Sequence, residues 1–347
     1  MATLKDIAKK SGVSTATVSY VVNNGPKSVM PETRARVLAA IAAMNYHPNA
    51  HARGLRGKKT NTIGVVFPHV VHEPFENAYF GPVLGGIIDA ATQRKKATML
   101  FTAFDFDEVE TCAPSLCDGR CDGFLILAPR RTTRLVGDLQ ARNVPVVVVG
   151  THPEGAEALT VDADNVKGGH LATRHLIEIG HRRIGIVSDG DPRTCSLERL
   201  EGYRKALDEA GIEFDPSFVC DIAPYEAGDD ELGQWLVARR ETITAVFCTQ
   251  DYIAARVIEA AGQCRLHVPN DLSVVGFDDN ICAVTSEPPM TTIRQPMRQI
   301  GLRAAEALFD CIDAVDSEPT GILFDVQLIQ RASSAPPRGV ATAPPPE

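Results

Sequence analysis

The chain has no apolar run approaching the ~18 residues that a membrane span needs. Its first residues hold no apolar core of a secretory signal, because Lys5, Asp6, Lys9 and Lys10 interrupt it. A cytoplasmic protein is therefore expected. Signatures of common catalytic sites are also missing. The sequence has no Walker loop, no Gly-x-Ser-x-Gly and no His-Glu-x-x-His, so neither an enzyme nor a bound cofactor is expected. Nine cysteines, an odd number spread along the chain, read as reduced thiols rather than a disulfide framework. Cys112, Cys117 and Cys121 cluster, but a metal site wants a fourth ligand and usually tighter pairs. Packing thiols are the expectation there.

At 347 residues the chain is too long for one core, which allows a small module plus one or two larger domains. The net charge of −9 hides a sharp asymmetry. Residues 1–59 carry ten Lys and Arg against two acids, Asp6 and Glu32, a net of +8, and the remainder carries −17. A basic module on an acidic body fits phosphate binding by one end only.

That basic end has the pattern of a helix-turn-helix. Thr3 can N-cap a first helix with Asp6 reaching back, and Leu4, Ile7 and Ala8 give it one apolar face. Ser11-Gly12-Val13 makes the turn, with Gly12 supplying backbone freedom. Ser14 caps a second helix in which Val18, Val21 and Val22 point inward, leaving Thr15, Ala16, Ser19 and Tyr20 outside. In such a motif the second helix lies in the DNA major groove. Pro31 opens a third helix with Val37, Leu38, Ile41 and Met44 at helical spacing, ending before Pro48. Residues 49–57 can form two further turns between an Asn cap and a Gly, too short to be stable alone.

From residue 62 apolar strands alternate with amphipathic helices. Strand runs fall at 62–67, 98–101, 123–127 and 144–149, then at 183–188, 245–248 and 272–276, with helices near 84–92, 167–179, 197–210 and 252–261. Near-continuous apolar runs separated by helices indicate parallel sheets covered on both faces. Two such series imply two doubly wound lobes with a ligand cleft between their strand ends. The Pro-rich 333–347 reads as a disordered tail.

Several motifs carry a family resemblance. They are TLKDIAKKSGVSTATVSYVVN, PETRARVLAAIAAMNYHPN and ARGLRGKKT near the N-terminus, then Val161-Asp162-x-Asp164-Asn165-x-x-Gly168-Gly169, Gly180-His181-Arg182-Arg183-Ile184, Glu198-Arg199-x-x-Gly202-Tyr203, Gly276-Phe277-Asp278-Asp279 and Pro288-Pro289-Met290-Thr291-Thr292-Ile293-Arg294-Gln295-Pro296. Over residues 2–332 the chain resembles the LacI/GalR family of bacterial repressors.

The resemblance implies an α/β protein with a three-helix DNA-binding module over 1–48, a hinge helix and linker over 49–61, and a two-lobed periplasmic-binding-protein-like domain of doubly wound parallel sheets over 62–332. The family layout implies lobe one at 62–160 and 291–320, and lobe two at 161–290 and 321–332. In the family, hinge helices of a dimer enter the minor groove of operator DNA and a leucine wedges a base step open, which here is Leu55 beside Ala52. The expected DNA contacts are Thr3, Ser14, Thr15, Ala16, Thr17, Ser19, Tyr20, Asn23 and Asn24, followed by Tyr46, Asn49, Ala52, Arg53 and Leu55. Met30 stands where the family often has a small polar or basic residue, which puts one cap or phosphate contact in question.

For the cleft, Arg199 matches a family arginine that hydrogen-bonds the effector, and Asp278 an acid beside it. Gln250-Asp251 stands where relatives often carry Asn-Asp, so the amide is kept at longer reach. Phe75, Tyr79 and Phe80 fall where relatives line the cleft, and aromatics there can stack on a sugar face. The implied protein is a homodimeric, operator-binding repressor with a small-molecule effector, a carbohydrate by preference. A nucleobase or phosphoprotein co-effector, or an activator, is the alternative left open.

Overall fold

The structure is a computed structural model that describes residues 2–22, 29–46, 59–68, 78–104, 109–155, 157–189, 194–222, 230–314 and 321–338. Asn23, Asn24, Asn49, Ala52, Arg53, Leu55, Phe75 and the expected hinge helix lie outside the described residues. The chain divides into two compact units, residues 1–60 and 61–347.

The first unit holds helices α1 (Leu4–Ser11), α2 (Thr15–Val22) and α3 (Pro31–Ala43). Thr3 and Asp6 form the reciprocal cap: the Thr3 hydroxyl accepts from the Asp6 amide while the Asp6 carboxylate accepts from the Thr3 N–H at 2.9 Å. Gly12 ends α1 in the left-handed region at φ 67°, where a side chain would be strained. Ser14 caps α2, its hydroxyl accepting from the Thr17 N–H at 3.1 Å. Ile7, Ala8, Val18, Val21, Val37, Ala40 and Tyr46 close one small core. Two sequence expectations are corrected here. Leu38 is 49% exposed, because Val37, Ala40, Ile41 and Met44 already complete the i, i+3, i+4, i+7 stripe and Leu38 falls outside it. Tyr46, expected on the DNA side, is a core residue.

The second unit is built from two six-stranded sheets. The first contains β1 (Thr62–Pro68), β2 (Ala97–Phe104), β3 (Gly123–Leu127), β4 (Val146–Val149), β5 (Leu159–Ala163) and β11 (Ile322–Phe324), in the order β11-β5-β4-β3-β1-β2. The second contains β6 (Ile184–Ser188), β7 (Val219–Asp221), β8 (Ala245–Cys248), β9 (Ser273–Asp278), β10 (Thr291–Arg294) and β12 (Gln327–Ile329), in the order β12-β10-β9-β8-β6-β7. All neighbouring strands are parallel except β10 and β12. Strands such as β3, β4 and β8 are buried along their whole length, as sheets covered by helices on both faces require. The helices are α4 (Phe80–Gln93), α5 (Val109–Leu116), α6 (Leu135–Ala141), α7 (Asn165–Glu178), α8 (Thr194–Glu209), α9 (Asp230–Arg239), α10 (Asp251–Gln263), α11 (Ile281–Thr285) and α12 (Met297–Ile312).

The chain crosses between the sheets after β5, after β10 and after β11. Each crossover falls a few residues later than the family layout implied. Residues 161–163 pair with β4 and β11, and 322–324 pair with β5, so both belong to lobe one, while 291–294 pair with β9 in lobe two. Hydrogen-bond pairing, which an apolar run does not encode, decides the membership. The expected disordered tail is corrected over its first residues, 333–338, while 339–347 lie outside the described residues. Ser333 and Ser334 are buried. The Ser333 hydroxyl bridges the Val274 carbonyl and the Thr291 N–H, and the Ala335 N–H donates to Ser273. These small polar residues satisfy backbone groups that β9 and β10 would otherwise bury unpaired. The cysteines of 112–121 pack against the core formed by Phe101, Phe124 and Leu135, and none of the nine cysteines is joined in a disulfide.

Candidate functional site

The residues expected to read DNA bases sit at the start of α2. Thr15 and Ala16 are exposed, directly after the Ser14 cap, and Thr17, Ser19 and Tyr20 are half-buried along the same helix. The Ser14 and Thr17 hydroxyls hydrogen-bond each other at 2.9 Å. The Ser14 cap, steadied by the Thr17 hydroxyl, and the αL Gly12 fix the N-terminus of α2 and the turn that joins it to α1. This orients an N-terminal turn as a groove-entering helix requires. Lys5, Lys9, Lys10 and Arg36 lie exposed on α1 and α3 of this unit, where cations can contact phosphates.

The second site forms where the C-terminal strand ends of the two lobes meet. Parallel strands deliver Ala163, Ser188, Cys248, Asp278 and Arg294 to this edge, so the residues just after them line it. Arg199 on α8 is 4% exposed. Its Nε donates to Asn165 Oδ1 at 2.9 Å, its Nη1 donates to the Thr249 carbonyl and lies 3.8 Å from Asp278 Oδ1, and its guanidinium stacks 3.6 Å from the Phe277 ring centroid. Two glycines make this placement possible. A Cβ on Gly169 would strike the Arg199 carbonyl and one on Gly202 the Val166 carbonyl, so α7 and α8 touch backbone to backbone.

Asp278 accepts from Gln295 Nε2 at 2.6 Å, and burial pushes its carboxyl up to about 6 against the opposing pull of Arg199. It stands at φ 123° and Asp279 at φ 56°, a backbone that non-glycine residues rarely adopt. Ion pairs from Arg294 and Arg331 to Asp279, at 2.6 and 2.5 Å, hold that turn in place. Asp189 accepts from Ser196 at 3.1 Å and from Gln250 at 2.8 Å. On lobe one, Asp162 is 3% exposed, and burial raises its carboxyl to about 7. Tyr79 at the start of α4 stands within electrostatic reach of Asp162, Arg199 and Asp278, and burial raises its phenol well above the usual value.

Among the expected cleft residues, Tyr79, Arg199, Gln250 and Asp278 thus come together. Two others are taken up by internal packing and hydrogen bonds. Phe80 is 3% exposed and packs edge-on against Phe67 at 5.7 Å, inside the lobe-one core. Asp251 is fully buried, with one oxygen accepting from Thr292 at 2.5 Å and the other from the Asn280 N–H at 2.9 Å. Burial and the neighbouring Asp278 raise it to about 8, and its work is to pin the turn after β9. Sequence reasoning missed Asp189, Ser196, Thr249, Gln295 and Asn165 as parts of this edge. Gln295 and Asn165 stood inside motifs already quoted, and their position immediately after a strand was the available signal.

A family profile described as bacterial regulatory proteins of the lacI family matches residues 3–49, and a periplasmic binding protein-like domain profile matches residues 173–334. The chain is 35% identical over 339 residues to the HTH-type transcriptional regulator CelR of Thermobifida fusca, covering 95% of this chain and 98% of that one. It is 33% identical over 337 residues to the HTH-type transcriptional repressor PurR of Pasteurella multocida strain Pm70, covering 96% and 98%. Among solved structures, a complex of the transcriptional regulator CelR with cellobiose matches with a TM-score of 0.75 at 31% identity, covering 96% of this chain and all of that one. A lac repressor dimer bound to operator and the anti-inducer ONPF matches with a TM-score of 0.81 at 25% identity, covering 96% and 99%. The capped helix pair, the two parallel-sheet lobes and full-length similarity to these regulators agree: the chain belongs to the LacI family of bacterial DNA-binding transcriptional regulators.

Proposed function

We propose that this regulator is a homodimeric repressor whose operator affinity is set by a neutral carbohydrate bound between the lobes. The observation that carries the ligand reading is the Arg199–Asp278 pair at the cleft edge, flanked by two buried polar atoms without a hydrogen bond. Thr249 Oγ1 and Gln295 Oε1 are buried without a hydrogen bond. A buried polar atom left unpaired costs about 1–3 kcal/mol, and sugar hydroxyls, which both donate and accept, can satisfy a hydroxyl and an amide carbonyl alike. Asp162 and Asp278 lie against one guanidinium, and burial already disfavours the charged form of both. An anionic ligand would meet that charge directly, whereas a polyol offers donors to it. The likeness to the CelR–cellobiose complex supports a glucoside. A nucleobase is the competing reading.

Dimerisation is supported by exposed apolar side chains on both lobes: Tyr252, Ile281 and Val284 on the neighbouring α10 and α11, with Ile88 on α4 and Leu100 on the sheet-edge strand β2. No described helix is long and apolar enough to cross a membrane, and operator binding would place the protein's work in the cytoplasm.

Thermal shift and calorimetry with cellobiose, other neutral glycosides and the purine bases test the ligand. A neutral glycoside should raise the melting temperature and lower operator affinity. Stabilisation by a purine base, with no sugar effect, would overturn the carbohydrate reading.

A further inference from the structure

We infer that Asn165 is the positioning residue through which effector occupancy at Arg199 reaches the lobe crossover. This inference rests on the proposed role of Arg199 in ligand binding. Asn165 is 1% exposed and opens α7, immediately after the first crossover. Its carbonyl oxygen accepts from Arg199 Nε at 2.9 Å. Its Nδ2 faces three acceptors at 3.2 Å: Asp162 Oδ2, the Ala163 carbonyl and Glu198 Oε2.

An amide nitrogen has two hydrogens, so three acceptors compete for two bonds. The competitors divide by lobe. Asp162 and Ala163 end β5 in lobe one, while Glu198 precedes Arg199 on α8 in lobe two. The backbone contact of α7 and α8 at Gly169 and Gly202 makes Asn165, Glu198 and Arg199 one rigid body, so relative lobe motion is expressed in the bonds to Asp162 and Ala163.

The same point reaches the third crossover. The Asp164 N–H donates to the Phe324 carbonyl at 2.9 Å, and Lys167 pairs with Asp325 at 2.6 Å. A ligand that repositions Arg199 turns the Asn165 amide and changes which acceptors it serves. That is a discrete choice between two lobe arrangements, the kind of two-state element that allosteric coupling needs.

Glu198 is half-buried, and its replacement threatens the fold little. Glu198→Ala removes the lobe-two competitor and leaves both hydrogens on lobe one. Operator affinity without sugar and cellobiose affinity should stay within about threefold of the parent. The factor by which cellobiose changes operator affinity, ordinarily ~5–150-fold in coupled systems, should fall below about twofold. Asn165→Ala should abolish the coupling as well and weaken cellobiose binding about tenfold, because Arg199 loses its Nε acceptor.

Hydrogen exchange at the Asp164 amide of the ligand-free protein is read in parallel. Glu198→Ala should slow it at least threefold, a change that a merely structural role for Asn165 does not give. A parental coupling factor in Glu198→Ala would overturn the inference. Should the parent itself not respond to cellobiose, the carbohydrate reading fails, and the exchange measurement then decides: unchanged protection at Asp164 overturns the role of Asn165.

Discussion

Replacing Arg199 with alanine probes stability and ligand response together, and the structure sets the size of each. The guanidinium is buried, donates to Asn165 and to the Thr249 carbonyl, stacks on Phe277 and opposes the Asp278 carboxylate. Removing one partner of a buried pair costs about 3–5 kcal/mol, because the other is left uncompensated. For a unit of this size that corresponds to a loss of roughly 10 °C in melting temperature.

The cost must depend on pH. Folding raises the Asp278 carboxyl from 3.8 to about 6, so the folded chain holds that proton more tightly than the unfolded one. This group therefore favours folding at low pH, and its contribution falls away as pH rises from 3.8 through about 6, by about 3 kcal/mol in all. Arg199 lowers the folded value, so without it the window extends to higher pH. Arg199→Ala should therefore be least destabilising at pH 5 and most at pH 8, in calorimetric melts of the full chain. Arg199→Ala combined with Asp278→Asn should recover much of the stability while the effector response stays lost. A loss independent of pH, or one below about 1 kcal/mol, would refute the assignment of Arg199 and Asp278 as a coupled buried pair.

Three further outcomes follow from the same geometry. Gly202→Ala should destabilise the second unit by about 1–3 kcal/mol in thermal melts, since its Cβ would strike the Val166 carbonyl and force α7 from α8; a neutral substitution would mean the two helices do not meet as described. If α2 reads the bases, exchanging Thr15, Ala16 and Tyr20 together should change the operator selected from random DNA while circular dichroism stays parental, because these residues stand on α2 outside its buried stripe; recovery of the same site would assign base readout elsewhere. Ile281→Glu with Val284→Glu should shift the protein to monomer in analytical ultracentrifugation and weaken operator binding, as both side chains are more than half exposed; an unchanged dimer would move the interface to another face.

Much of this molecule was legible in the sequence because the decisive signals were local. Thr3, Asp6, Gly12 and Ser14 act on backbone groups within four residues of themselves, and each does in the structure what its spacing implied. Buried parallel strands announce themselves as apolar runs, so the two-lobed α/β plan was readable too. The exposure of Leu38 and the burial of Tyr46, Phe80 and Asp251 were not, because periodicity names a stripe but not its width, and exposure depends on what packs from elsewhere. Lobe membership of 161–163, 291–294 and 322–324, and the packing of Ser333 and Ser334, were decided by hydrogen bonds between segments far apart in the chain. The cleft shows the division most clearly. The sequence determined that Arg199 and Asp278 exist in recognisable motifs. Only the tertiary structure brought them together with Asn165, Thr249 and Gln295, because strand order and the close approach of α7 to α8 at Gly169 and Gly202 place remote residues on one edge, where burial sets their charge.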